Sequence, residues 1–224
     1  MRGVSGPRRP VSTYGLLIAS AALASSAMWL SLGCDPPRRA PTGQRFEDHF
    51  DRAEIGDDWR TTGAGWRIEN GALRGENSHN HPLWLKRKLP RDARIEFDAW
   101  SESPAGDLKC EAWGDGESHA TQASYTATSY VVIFGGWHNR LNVIARMNEH
   151  GADRQVVEGP RVEIGQHYHF KIERRSHTLQ WLLDGNPILE FNDPDPLAGP
   201  GHEYFAFNDW EALVHFDNLV ITPL

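Results

Sequence analysis

Arg94 to Gly114 reads RIEFDAWSESPAGDLKCEAWG, and its alternation decides the fold class. Successive side chains of a strand face opposite ways, so Ile95, Phe97 and Ala99 share one side while Glu96, Asp98 and Trp100 share the other. The second limb repeats the pattern, with Leu108, Cys110 and Ala112 apolar and Asp107, Lys109, Glu111 and Trp113 on the polar side. SESPAG between the limbs predicts a hairpin loop. A hairpin would bring four carboxylates, a lysine and two tryptophans onto one sheet face, where a ligand is expected. A solvated face with incidental tryptophans is the competing reading.

Outward from this stretch, other short β-rich segments follow at turn-punctuated intervals. Trp66 to Arg74 contains Asn70-Gly71 and Leu179 to Phe191 contains Asp184-Gly185, the dipeptides best suited to type I′ hairpin turns. Leu83 to Leu89 is strand-like but interrupted by Lys86, Arg87 and Lys88, as expected of an edge. Tyr130 to Phe134 and Arg140 to Arg146 flank GGWHN, whose glycines permit a tight turn that leaves Trp137 and His138 prominent. No segment after the N-terminal region holds a helical period over eleven residues or more, and no internal repeat is visible. The expectation is an all-β, two-sheet antiparallel jelly-roll sandwich over residues 46–224.

The N-terminus is read separately. Arg2, Arg8 and Arg9 precede an uncharged apolar run, Gly15 to Leu32, which ends in Leu30-Ser31-Leu32-Gly33-Cys34. This resembles a bacterial lipoprotein signal, which implies removal of residues 1–33 and acylation of Cys34. An uncleaved anchor or an ordinary secretory signal are the alternatives, and all three export the rest of the chain. Residues 34–45, rich in proline and polar side chains, read as a tether. The expected location is the cell envelope, lipid-anchored to a bacterial membrane on its periplasmic or surface-facing side.

Composition narrows the partners. The chain has 23 basic and 30 acidic residues, a net charge of −7, and losing Arg2, Arg8 and Arg9 makes it more negative still. With no basic stripe, nucleic acid is excluded as a partner. Eleven histidines show no metal-ligand spacing and no cofactor motif appears, so neither a metal nor a cofactor is expected. With Cys34 acylated, Cys110 is expected to be a buried thiol. A bridge between the two requires the anchor reading to fail.

The second half carries a resemblance. Tyr168 to Glu173, Leu179 to Gly185 with Ile188 and Phe191, Phe205-Ala206-Phe207 and the closing Phe216-Asp217-Asn218-Leu219-Val220-Ile221 resemble the concanavalin A-like lectin and glucanase superfamily. Within it they are most similar to 3-keto-disaccharide hydrolase-like domains. The resemblance implies a jelly roll whose concave face binds or cleaves saccharide. Glucanases of this superfamily often carry Glu-x-Asp-x-Glu, or the same with one more residue before the last Glu. Here Glu96 and Asp98 match, but the third place falls on Trp100 or Ser101, which removes the acid that chemistry requires.

Three functions are expected. The first is noncatalytic carbohydrate binding, with Trp100, Trp113, Trp137 and Trp210 as stacking platforms beside Lys109, Glu111, Asn139, Arg146 and Asn208, because a sugar offers an apolar C–H face and a rim of hydroxyls. The second is glycoside cleavage using Asp98 and Glu111, with Asp209 in reserve. One hairpin register sets Asp98 opposite Glu111 and the other sets it opposite Lys109, and only the first makes an acid–base pair. The third is a protein-binding face, since aromatic and arginine clusters also mark interfaces. Trp59, Trp66 and Trp181 are assigned to the core.

Overall fold

The computed structural model describes residues 44–122 and 125–224. Fifteen strands are present among them. They are β1 (Phe46–Asp48), β2 (Trp59–Thr61), β3 (Trp66–Glu69), β4 (Ala72–Glu76), β5 (Leu83–Leu85), β6 (Ala93–Ser101), β7 (Leu108–Gly114) and β8 (Tyr130–Gly135). The rest are β9 (Leu141–Arg146), β10 (Gln155–Glu158), β11 (Tyr168–Arg175), β12 (Thr178–Leu183), β13 (Asn186–Asn192), β14 (Tyr204–Asn208) and β15 (Leu213–Pro223). Every strand pair is antiparallel.

The strands form two sheets. One has eight strands in the order β13-β12-β11-β6-β15-β4-β3 with β1 also on β15, and the other has seven in the order β10-β9-β8-β7-β14-β5-β2. Their inner faces share one core, in which Ile95, Phe97, Phe170, Trp181 and Phe216 of the first sheet meet Leu108, Cys110, Val132, Phe205 and Phe207 of the second. Rings in edge-to-face and stacked contact fill the centre, among them Phe97 against Phe207 at 5.2 Å and Phe207 against Phe216 at 4.3 Å. Trp59, Trp66 and Trp181 are buried in this core.

Both turn dipeptides close hairpins. Asn70 and Gly71 have φ of 54° and 77° between the paired Glu69 and Ala72, and Asp184 and Gly185 have 50° and 78° between Leu183 and Asn186. The Arg94–Gly114 stretch folds differently. Strand β6 pairs with β11 and β15, and β7 pairs with β8 and β14, so the two limbs lie in opposite sheets and cross the sandwich instead of pairing. Their apolar sides meet in the same core, and their polar sides therefore point to opposite outer surfaces. Strand β5 is also interior, held between β14 and β2, and it ends at Leu85 before the basic run begins. The apolar run at Gly15 to Leu32, Cys34 and the segment 34–43 lie outside the described residues. Among those described, no helix is long and apolar enough to cross a membrane.

Candidate functional site

Strand β7 supplies the floor. With Leu108, Cys110 and Ala112 committed to the core, Lys109 and Glu111 emerge on the outer face of the seven-stranded sheet, where Asn208 of β14 pairs in register with Lys109. Loops after β4, β7, β9 and β14 cover this face, so the polar residues are buried. Glu111 is wholly out of solvent and accepts from Ser129 Oγ at 2.6 Å, Asn208 Nδ2 at 2.8 Å and the Tyr125 hydroxyl at 3.1 Å. Burial pushes its carboxyl up to about 7 despite those donors and nearby Lys109. Asp209, bonded to the Ser78 amide, is also pushed up to about 7 by burial and by the charge of Asp107.

Lys109 is 2% exposed. Its Nζ meets Asn80 Oδ1 and Glu149 Oε2, each at 2.6 Å. Burial disfavours the ammonium, but Glu149 and Asp107 outweigh it and hold the pKa above the usual lysine value. Asp107 moves upward, chiefly by burial. An ammonium only donates, so the oxygen of the Asn80 amide must face Lys109 and its Nδ2 must face away. Asn80 is 4% exposed, yet this Nδ2 has no acceptor among the described residues.

Above this floor lies an open cleft of about 260 Å³, lined by Asn80, Asp107, Lys109, Trp137, Glu149 and Trp210 among others. Trp210 is 37% exposed, and its backbone N–H donates to Asp107 Oδ2 at 2.5 Å. Asn80 Nδ2 and the third Lys109 proton are donors, Asp107 and Glu149 are acceptors, and two indoles offer apolar faces.

The backbone around the cleft is strained. Trp137, His138 and Asn139 have φ of 52°, 58° and 59°, forming one left-handed turn closed by Arg140 N–H to Gly136 O at 2.9 Å. Left-handed helical geometry costs about 1–2 kcal/mol per residue bearing a Cβ. Asp107, His79 and Asn80 also have positive φ, of 60°, 49° and 60°. Strain of this kind gathers at functional sites, where surrounding structure must over-determine it. Here the Asn139 amide clamps Val162, donating to its carbonyl at 2.7 Å and accepting from its N–H at 2.8 Å.

The remaining residues singled out in the sequence lie elsewhere. Asp98 is on the outer face of the eight-stranded sheet, bonded to His169 Nδ1 at 2.8 Å and Asn218 Nδ2 at 2.9 Å, so the Asp98–Glu111 dyad does not assemble. Trp100 shares that face, sandwiched between His167 at 4.1 Å and His215 at 4.7 Å, with both indole faces occupied. Trp113 has φ 58° at a β-bulge against β14, which turns its ring off the polar side into the core, 1% exposed, with Nε1 donating to Pro90 O. Arg146 pairs with Asp193 at 3.0 Å, away from the cleft lining. Asn139 and Asn208 support the site from behind without lining it. Sequence reading set Asp107 on the ligand-facing side but missed Asn80 and Glu149, because they come from loops whose convergence no local pattern announces.

No protein-family model matches the chain, and no curated protein matches it. Solved structures do. The carbohydrate-binding module CBM66 from Bacillus subtilis is 15% identical, with 75% of this chain and 98% of that one covered at a TM-score of 0.57. A β-glucanase from Bacillus licheniformis is 11% identical, with 81% and 99% covered at 0.58. The carbohydrate recognition domain of Emp47p is 12% identical, with 80% and 94% covered at 0.55. At these identities the likeness establishes architecture alone, and the chain folds as an all-β, two-sheet antiparallel jelly-roll sandwich.

Proposed function

We propose that this is a carbohydrate-binding domain, exported and lipid-anchored through Cys34, that holds saccharide in the cleft without cleaving it. The cleft composition carries the reading. Unpaired donors on Asn80 and Lys109 and carboxylate acceptors on Asp107 and Glu149 share one concavity with Trp137 and Trp210. That set matches a ring with hydroxyls on its rim and C–H bonds on its face. The structural neighbours support it at the level of fold, since they include a carbohydrate-binding module and a carbohydrate recognition domain.

Glycoside cleavage is the second reading, favoured by the two carboxyls raised to about 7. Both Glu111 and Asp209 are 0% exposed and neither lines the cleft, which favours the binding reading. The test is a glycan panel on the full chain, with Trp137→Ala and Trp210→Ala beside it and product analysis on every hit. Binding that falls about tenfold or more in each variant, with no product formed, is the expected result. Product released by the wild-type chain would replace this reading with the hydrolase.

A further inference from the structure

The charge of the cleft specifies which saccharide it takes, an inference that rests on the carbohydrate reading. Three carboxyl groups line it, those of Asp107, Glu149 and Glu211, against one ammonium, that of Lys109. That ammonium is already engaged, with Asn80 and Glu149 each at 2.6 Å. Beneath the floor, Glu111 and Asp209 add further negative charge wherever they ionise. The Arg154 guanidinium stands outside the lining, over the Trp137 ring at 4.7 Å, and donates to the Glu149 carbonyl. His138 and His150 also line the cleft, and His150 Nε2 is 3.7 Å from Glu149 Oε1.

A concave site with this balance draws cations and repels anions, because low-dielectric walls focus the field. The indoles act in the same direction, since a ring face attracts a cation, as Arg154 on Trp137 already demonstrates. The polar contacts left open divide by type. Asn80 Nδ2 and the third Lys109 proton are donors suited to hydroxyl or ether oxygens. Asp107 Oδ1 has no hydrogen-bond partner among the described residues, and Glu211 is exposed at the rim, so these are acceptors suited to an ammonium.

We infer that the cleft selects saccharides carrying a free amino group, hexosamines without the N-acetyl cap, over neutral and anionic sugars. The amine sits among Asp107, Glu149 and Glu211, while the ring hydroxyls meet Asn80 and Lys109. Acetylation removes the positive charge and leaves those carboxylates facing an uncharged amide. A uronic acid sets a fourth carboxylate against three.

Calorimetry on the full chain tests this with four tetramers, of glucosamine, N-acetylglucosamine, glucose and galacturonic acid, just below neutral pH where the amine is protonated. The glucosamine tetramer should bind about tenfold or more tighter than the acetylated and glucose forms. Added salt should erode that margin, and the galacturonate should not bind. Glu211→Gln, at an exposed position, should cut the preference about threefold without moving the melting temperature. Asp107→Asn, which retains an acceptor for the Trp210 amide, should cut it about tenfold. Equal binding of the acetylated or glucose tetramer overturns the inference and leaves saccharide binding standing. A preference unchanged by either substitution overturns the charge argument, and failure of all four tetramers overturns both readings.

Discussion

Glu111 bears a carboxyl that the unfolded chain would titrate near 4.5 and the folded chain at about 7. Between those values the native state binds more protons than the unfolded state, so stability falls as pH rises through that window. A tenfold change in proton affinity corresponds to about 1.4 kcal/mol, which puts the loss on the order of 3 kcal/mol for this group alone. Glu111→Gln keeps the shape and the Asn208 bond, and Ser129 can turn its hydroxyl to accept. The variant should melt like the parent near pH 4.5, above it at pH 8, and with a flatter profile between. Asp209 moves in the same direction, so part of the slope should persist. A melting profile parallel to wild type across the window would sink the assignment. Trp113 makes the complementary case. Its ring is fully packed beneath Arg174, whose guanidinium lies 4.6 Å away, and Trp113→Ala should cost about 3–5 kcal/mol in denaturant unfolding. A variant of normal stability that lost only ligand affinity would contradict this placement.

The left-handed turn is the element on which the cleft depends. Gly135 enters it at φ 74°, and a Cβ there would meet Val162 Cγ2 at 2.6 Å and Asn139 Oδ1 at 2.7 Å. Gly135→Ala therefore combines backbone strain with a clash against the clamp that holds the turn. It should destabilise by about 2–3 kcal/mol and weaken saccharide binding, although Gly135 touches no ligand. Asn139→Ala separates the two effects, since it adds no bulk and removes both bonds to Val162. It should lower affinity through a displaced Trp137 at a smaller cost in stability, about 1–2 kcal/mol. Chemical-shift changes confined to the Trp137 indole would support it, and unchanged affinity would argue against the clamp. At this scale the sequence was legible where local chemistry decides. Asn70-Gly71 and Asp184-Gly185 announce their hairpins, because positive φ at two successive residues needs those side chains. The inward sides of β6 and β7 were equally plain from period-two alternation. The partners were not, because alternation looks the same whether two limbs pair with each other or face across a core. Only β11, β15, β8 and β14, distant in sequence, decide between hairpin and arch. Trp113 shows the same limit, since a bulge opposite Tyr204 reverses the side that simple counting assigns.

At the scale of the molecule, the two outer faces are unequal. The eight-stranded sheet spends its outer polar residues on one another, in the Arg94–Glu173 and His169–Asp98 pairs and in the Trp100 stack. The seven-stranded sheet instead carries loops, and only its face opens into the cleft. The first described strand, β1, belongs to the first of these sheets through its pairing with the end of β15. Asp48 secures that strand by accepting from Arg52, from Trp59 Nε1 at 2.8 Å and from the Phe50 amide. The first described strand thus lies on the sheet that supplies none of the cleft lining. Anchoring and binding should then be separable. Cys34→Ser, expressed in a bacterial host that processes lipoproteins and labelled with palmitate, should lose the lipid label and move from the membrane pellet to the soluble fraction. Its saccharide affinity and melting temperature should match the parent. Persistent membrane association with no label in either protein would favour an uncleaved anchor over acylation. Loss of affinity on release would mean that the membrane, or the tether itself, completes the binding site.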